Sequence, residues 1–277
     1  MAPVVVARVA GREPRMTERS RSMRFALLGS GSKGNALVVE YADTRLLVDC
    51  GFSAREMERR LARLELTPAD IDALVITHEH DDHWRGVSRF SRRHDVPVWL
   101  TPGTQAAKAT DVLAATELYS PHEPFAIGDL ELFPYPVPHD AREPAQLIVG
   151  NGDKRLGILS DSGYATPHVR EMVDACDALV LECNHDPAML ASGPYPASLK
   201  RRVGGELGHL SNPQAADLLA RIDTTSLQQL VVAHISESNN RPELARTALA
   251  EALSTTADWV HVANQSEGLS WRSLVNR

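Results

Sequence analysis

Thr77-His78-Glu79-His80-Asp81-Asp82-His83 follows the apolar run Ala73-Leu74-Val75-Ile76 and precedes Trp84-Arg85-Gly86. Only 11 of 277 residues are histidine, so three in one heptapeptide, interleaved with carboxylates, are poorly explained as a chance surface cluster. A buried strand cannot continue into this segment, because burying unpaired imidazole and carboxylate costs several kcal/mol. The chain is therefore expected to leave the core at Thr77 and place the polar residues in a loop at the strand's C-terminal end, where open α/β architectures hold their sites. Imidazole nitrogens and carboxylate oxygens suit zinc, manganese or iron, and the lack of Cys in the cluster argues against a closed structural zinc site.

Outward from this segment the same pattern recurs: an apolar strand, then a residue able to bind a cation. Arg45 to Val48 deliver Asp49, and the segment after Leu130-Glu131-Leu132 arrives at Pro138-His139-Asp140. Leu156 to Leu159 end in Ser160-Asp161-Ser162-Gly163, Ala178 to Leu181 in Glu182-Cys183-Asn184-His185-Asp186, and Leu230 to Ala233 in His234. Gly128-Asp129 and Asn151-Gly152-Asp153 signal hairpins. Helices are expected after Ser53, whose spacing to Glu56 is that of a capping box, over Trp84 to His94, after Thr101-Pro102, and over Pro213 to Ile222 and Pro242 to Leu253. Tight hairpins mixed with helical connections imply mixed sheets with helices packed outside. Arg24 to Leu28 read as a strand entering Gly29-Ser30-Gly31-Ser32-Lys33-Gly34-Asn35, a loop of small residues whose backbone N–H groups can approach an anion.

A chain of 277 residues with 43% hydrophobic content buries a substantial core. It has no run near the roughly 18 apolar residues that span a bilayer, so no membrane partner is expected. Cys50, Cys176 and Cys183 make an odd count without CxxC spacing, which fits a reducing compartment and a cytoplasmic location. Residues 1–22 are rich in Arg, Ser and Glu and are expected to form a disordered extension to one domain over 23–277. The formal net charge of −7 does not advertise a nucleic-acid binder, although Lys200-Arg201-Arg202 and Arg89…Arg92-Arg93 offer local basic rims.

The series Asp49, His78, His80, Asp82, His83, His139, Asp161, His185 and His234, centred on His78-x-His80-x-Asp82-His83, resembles the metallo-β-lactamase superfamily. That resemblance implies an αββα sandwich with a dinuclear metal site at the sheet edge. It implies that His78, His80 and His139 hold one ion, that Asp82, His83 and His234 hold the other, that Asp161 bridges them, and that Asp49 supports the ligand loop from behind. The cofactors would be two divalent ions, zinc or manganese. Four further segments, Gly29 to Asn35, Glu182 to Asp186, Gly208-His209-Leu210-Ser211-Asn212 and His234 to Asn240, are similar to the YycJ-type (WalJ/VicX-like) branch, whose members are implicated as 5′ to 3′ DNA exonucleases. Lys33 and Cys183 depart from that pattern, where Ser is more usual.

The chemistry can be argued from the residues. Two divalent ions about 3.5–4 Å apart activate a bridging water and clamp an oxygen on which charge develops. Phosphodiesters suit such a site because their equatorial oxygens carry that charge. The resemblance implies nucleic acid as the substrate, DNA before RNA. Asp82 and Asp161 are expected at the reacting centre with Asp49 behind them, and His185 and His209 are two further imidazoles suited to holding phosphate or protonating the leaving oxygen. Ser30 and Asn35, within the Gly/Ser loop, are expected to help recognise a terminal phosphate. Two other classes fit less well: a thioester hydrolase, in which a Gly pair rather than Trp84-Arg85-Gly86 usually follows the ligand motif, and a non-catalytic module, in which ligands are usually lost.

Overall fold

The computed structural model describes residues 5–7 and 22–275. Its strands are β1 Val5–Ala7, β2 Arg24–Gly29, β3 Ala36–Tyr41, β4 Thr44–Val48, β5 Ala73–Val75, β6 Val98–Leu100, β7 Thr116–Leu118, β8 Phe125–Ile127, β9 Leu130–Pro136, β10 Ala145–Gly150, β11 Arg155–Leu159, β12 Ala178–Glu182, β13 Gln229–Ala233, β14 His261–Val262 and β15 Leu269–Ser273. The helices are α1 Ala54–Ala62, α2 Asp81–Trp84, α3 Val87–His94, α4 Pro102–Ala107, α5 Pro167–Val173, α6 Pro187–Ser192, α7 Ala197–Val203, α8 Asn212–Leu219 and α9 Pro242–Ala252.

The strands form two sheets, in the orders β15-β2-β3-β4-β5-β6-β7 and β1-β8-β9-β10-β11-β12-β13-β14. Because side chains alternate across a strand, each apolar run feeds two cores. Leu46, Val48, Leu147, Val149 and Val180 pack between the sheets. Their neighbours face outward: Leu47 and Leu74 meet Met57 and Leu61 of α1 and Phe90 of α3, while Ile148, Leu179 and Leu181 meet Val169 of α5, Leu218 of α8 and Leu249 of α9. Strands covered on both faces read as continuous apolar runs, and the result is the expected αββα sandwich.

Within the first sheet β4, β5, β6 and β7 run parallel, and within the second β11, β12, β13 and β14 do the same. Parallel strands end at one edge, so Asp49, Thr77-His78, Asp161, Glu182 and His234 all emerge together. Three of them turn sharply to do so: Asp49, Asp161 and His234 have φ of 61°, 51° and 49°. For a non-glycine residue this left-handed conformation costs roughly 1 kcal/mol or more, and Asp and His tolerate it best.

Both expected hairpins are present, with Ile127 paired to Leu130 across Gly128-Asp129 and Gly150 paired to Arg155 around Asn151 to Lys154. Ser53 and Thr101 cap α1 and α4 through their side chains, and α8 and α9 lie close to their expected spans. The helix expected over Trp84 to His94 is instead two pieces. Gly86 directs its N–H to Cys50 O rather than into a helical ladder, and a Cβ at Gly86 would stand 2.0 Å from Phe52 O. The break presses α2 against the loop after β4.

Of the stretch expected as an N-terminal extension, Val5–Ala7 lies as a strand parallel to β8, and residues 1–4 and 8–21 lie outside the described residues. Met23, the expected start of the domain, is fully buried. Among the described residues no helix is long and apolar enough to cross a membrane.

Candidate metal centre

His78 and His80 sit in the loop after β5, and His80 ends that loop as the residue before α2. Asp82 and His83 are therefore on a helical turn rather than in the loop itself, with the His83 ring 4.2 Å from that of His78, centroid to centroid. Backbone bonds staple this turn in place: Asn35 N donates to Asp82 O at 2.7 Å and Cys50 N to His83 O at 2.9 Å. Gly51 permits the contact, since a Cβ there would lie 1.7 Å from Asp82 O.

The residues converge in two sets. His78 Nε2 and His139 Nε2 approach His80 Nδ1 to 3.1 and 3.2 Å. The opposite nitrogen of each ring is already engaged: His78 Nδ1 with Thr77 Oγ1 at 3.0 Å, His80 Nε2 with Asp140 O at 3.2 Å and His139 Nδ1 with Gly208 O at 3.1 Å. Rings that donate outward through one nitrogen present lone pairs inward through the other, the arrangement that orients metal-binding histidines. These three could hold one cation.

The second set is Asp82, His83, Asp161 and His234. His83 Nδ1 donates to Asp49 Oδ2 at 2.7 Å, while its Nε2 lies 3.1 Å from Asp161 Oδ2 and 3.5 Å from Asp82 Oδ2. His234 turns Nδ1 to Asp161 Oδ2 at 3.1 Å and Nε2 to Asp82 Oδ2 at 3.5 Å. The other oxygen of Asp161, Oδ1, is 3.9 Å from His139 Nε2, so this buried carboxylate faces both sets. A mixed imidazole and carboxylate donor set without sulfur fits hard or borderline divalent ions.

Electrostatics distinguishes the halves. At His78 and His139, burial favours the neutral ring and, together with neighbouring imidazoles, lowers the pKa. Burial acts in the same sense at His83 and His234 but is outweighed. Asp161, Asp49 and Asp82 hold His83 well above the ordinary imidazole range, and Asp161, Glu182 and Asp82 raise His234 to about 9. Asp161 is in turn held well below the usual carboxylate range, because His234 and His83 outweigh its desolvation. A cation entering the second set must displace protons. Its apparent affinity should therefore rise with pH until His234 deprotonates near 9. Calorimetric titration of zinc into metal-free protein at pH 7, compared in buffers of different ionisation enthalpy, should show proton release at one of two binding steps.

Asp49 touches neither set's interior. It accepts from Thr77 N and Oγ1 as well as from His83, which fixes the start of the ligand loop and the ring of His83. Asp49→Ala is expected to weaken divalent-ion binding by about 10–100-fold while leaving the protein folded, measured by competition with a chromogenic chelator.

Glu182 was not among the residues expected at the site. It is fully buried at the end of β12; its Oε1 accepts from His209 Nδ1 at 2.8 Å, and its Oε2 from Leu210 N at 3.0 Å and Ser162 N at 3.2 Å. Asp161, Glu182, His209 and His234 are close enough to form a third cation set, but both Glu182 oxygens are occupied by N–H donors, so this group reads as a hydrogen-bonded relay. Burial favours neutral His209, yet Glu182 and Asp161 raise its pKa, and its side chain remains 21% exposed.

A cleft of about 500 Å³ opens over both sets, lined by His80, Asp82, His139, Asp161, His209 and His234 and rimmed by Ser32 and Arg202. His185 is not among its lining residues. It is buried beside the backbone of Ser211 and Asn212, with Nδ1 unpartnered. Nor do Ser30 and Asn35 face the cleft. Ser30 Oγ accepts from His234 N at 2.8 Å, while Asn35 accepts from Gly31 N at 2.8 Å and contacts Asp82 Oδ2 at 3.2 Å. These two side chains hold the Gly/Ser loop against the site, and Ser32 is the part of that loop exposed to the cleft.

The β-lactamase superfamily domain model matches residues 44–235, a span that contains every residue of both sets. The chain belongs to the β-lactamase superfamily. Within this superfamily it is 34% identical over 238 residues to exodeoxyribonuclease YycJ of Bacillus anthracis, covering 83% of this chain and 89% of that one. It is 32% identical to exodeoxyribonuclease WalJ of Streptococcus pneumoniae serotype 2, covering 83% and 88%. The metallo-β-lactamase fold protein YhfI of Bacillus subtilis superposes with a TM-score of 0.70 at 15% identity, over 91% of this chain and 100% of that one, which speaks to the superfamily's fold alone.

Proposed function

We propose that this protein is a cytoplasmic, two-metal exonuclease that degrades DNA from a 5′ end. The observation that carries the reading is the near full-length similarity to two exodeoxyribonucleases, over a cleft in which one buried carboxylate faces two donor sets. His78, His80 and His139 would hold one divalent ion, and Asp82, His83 and His234 the other, with Asp161 between them; zinc or manganese suits the donors. Bound there, the ions would supply Lewis-acid activation of water and of the attacked phosphate.

The chain's own residues account for the rest. Asp49 and Thr77 fix the ligand loop, Asn35 and Ser30 fix the Gly/Ser loop, and the bonds to Asp140 O and Gly208 O set the rings of His80 and His139. His209, kept in the proton-bearing direction by Glu182, is placed to hold a terminal phosphate or to give its proton to the leaving 3′ oxygen. Backbone N–H groups around Ser32 are the second candidate partner for a terminal phosphate. His185, away from the cleft, is left without a substrate contact.

The test is digestion of 5′-labelled and 3′-labelled single-stranded DNA and the matching RNA by zinc- or manganese-loaded protein. Early release of labelled mononucleotide or short product from 5′-labelled DNA supports the reading. A ladder of internal fragments from both labels, or turnover of RNA alone, refutes it.

A further inference from the structure

Among the described residues that line the cleft, Arg202 is the one permanently cationic side chain, set against the carboxylates Glu79, Asp81, Asp82, Asp140 and Asp161. Two divalent ions would bring four positive charges against these five carboxylates, so the metals alone leave no net positive charge for a second phosphate. The guanidinium lies close to the reacting edge. Arg202 Nε donates to Asp140 Oδ2 at 2.5 Å, and Asp140 follows His139 and accepts from His80 Nε2 through its backbone oxygen. Arg202 belongs to α7, whose Leu199 and Val203 also line the cleft, so the helix forms a wall rather than a distant rim. Its side chain is 61% exposed, which leaves the planar fork room for a second acceptor. A guanidinium pairs with carboxylate and phosphate by the same geometry.

We propose that Arg202 is a strand-positioning residue that binds the phosphate following the scissile one, and that Asp140 holds it ready in a pairing a phosphodiester oxygen can share or replace. This deepens the nuclease reading and rests on it. It also explains how a chain of net charge −7 would retain a polyanion: one cation on the wall beside the metals, in place of a broad basic face.

The experiment uses the zinc-loaded full chain and a short 5′-phosphorylated single-stranded DNA, with KM and kcat from turnover and Kd from fluorescence anisotropy on a phosphorothioate version. Arg202→Ala should raise KM and Kd about tenfold, with a much smaller change in kcat, and lower the slope of log Kd against log salt by about 0.7, the value for one single-strand phosphate contact. Arg202→Lys should recover part of the affinity. Arg201→Ala, on the same helix but not lining the cleft, should behave as wild type. A neutral methylphosphonate at the linkage after the scissile one should weaken wild type about as much as Arg202→Ala does, and should add little to that variant's loss.

Arg202 is overturned as a phosphate contact if the methylphosphonate and the substitution act additively, or if the salt slope is unchanged. It is also overturned if Arg202→Ala slows bis(p-nitrophenyl) phosphate, which has no neighbouring phosphate, as much as the oligonucleotide. That last result would mean that Arg202 acts only by steadying Asp140 and the His80 and His139 rings. Wild-type protein that hydrolyses the small diester yet neither binds nor degrades oligonucleotides would overturn the nuclease reading itself, and this proposal with it.

Discussion

Asp161→Ala is expected to reduce DNA hydrolysis by on the order of 10³-fold or more, a larger loss than His139→Ala causes. Asp161 is 2% exposed, and its oxygens point to different partners, Oδ1 toward His139 and Oδ2 toward His83 and His234. Losing His139 removes one donor from one set, whereas losing Asp161 removes a member of the second set whose other oxygen faces the first. It also removes the negative charge that offsets the cationic tendency of His83 and His234. Because those rings outweigh its desolvation and hold its pKa well below the usual carboxylate range, Asp161 itself stays ionised at pH 5, so activity lost on acidification reports protonation of the histidines and not of this carboxylate. Its left-handed φ of 51° is tolerated better by Asn than by Ala, which makes Asp161→Asn the cleaner companion. If both variants keep the native circular dichroism and either turns over at the wild-type rate, the shared-carboxylate assignment is wrong.

His209→Ala should cost about 10²-fold in kcat, the lower range for loss of a general acid, with metal content unchanged. Its Nδ1 is committed to Glu182 Oε1, and the ring lines the cleft beside His139 and His234 at centroid distances of 5.3 and 5.2 Å. The loss should shrink on a p-nitrophenyl ester of a nucleotide, whose leaving group needs no proton. Glu182 raises the pKa of His209, so Glu182→Gln should move the alkaline limb of the kcat profile to lower pH. A substantial fall in zinc content on His209→Ala would instead make His209 a ligand and revive the third donor set as a metal position.

The sequence carries the candidate metal centre plainly because its chemistry is local: His78, His80, Asp82 and His83 lie within six positions, at the end of an apolar run that cannot continue into them. The sandwich was equally legible, since two-faced burial writes itself as unbroken apolar runs such as Leu46-Leu47-Val48 and Leu147-Ile148-Val149. What stayed hidden depends on contacts distant in sequence. Glu182 meets His209 from 27 residues away; its only local signal is a carboxylate closing a fully apolar strand, the same signal that pointed to Asp161. The split of one expected helix at Gly86 follows from the close approach of Phe52 O, a contact across the fold that periodicity does not encode. Ser30 and Asn35 looked like an anion-binding loop by composition, but composition cannot tell whether a polar side chain faces a ligand or, as here, Asp82 and the backbone of His234. Lys200-Arg201-Arg202 reads as a basic rim from composition, but that α7 walls the cleft and that Arg202 alone of the three lines it depends on contacts distant in sequence.

The most direct test of the central claim compares one DNA sequence as a linear 5′-phosphorylated strand and as a covalently closed circle, each with manganese-loaded wild-type protein. An end-directed two-metal exonuclease should consume the linear strand with early release of mononucleotides or short products and leave the circle intact over many turnovers. Degradation of the circle at the linear rate would contradict the account and place the activity among internal phosphodiester cleavages.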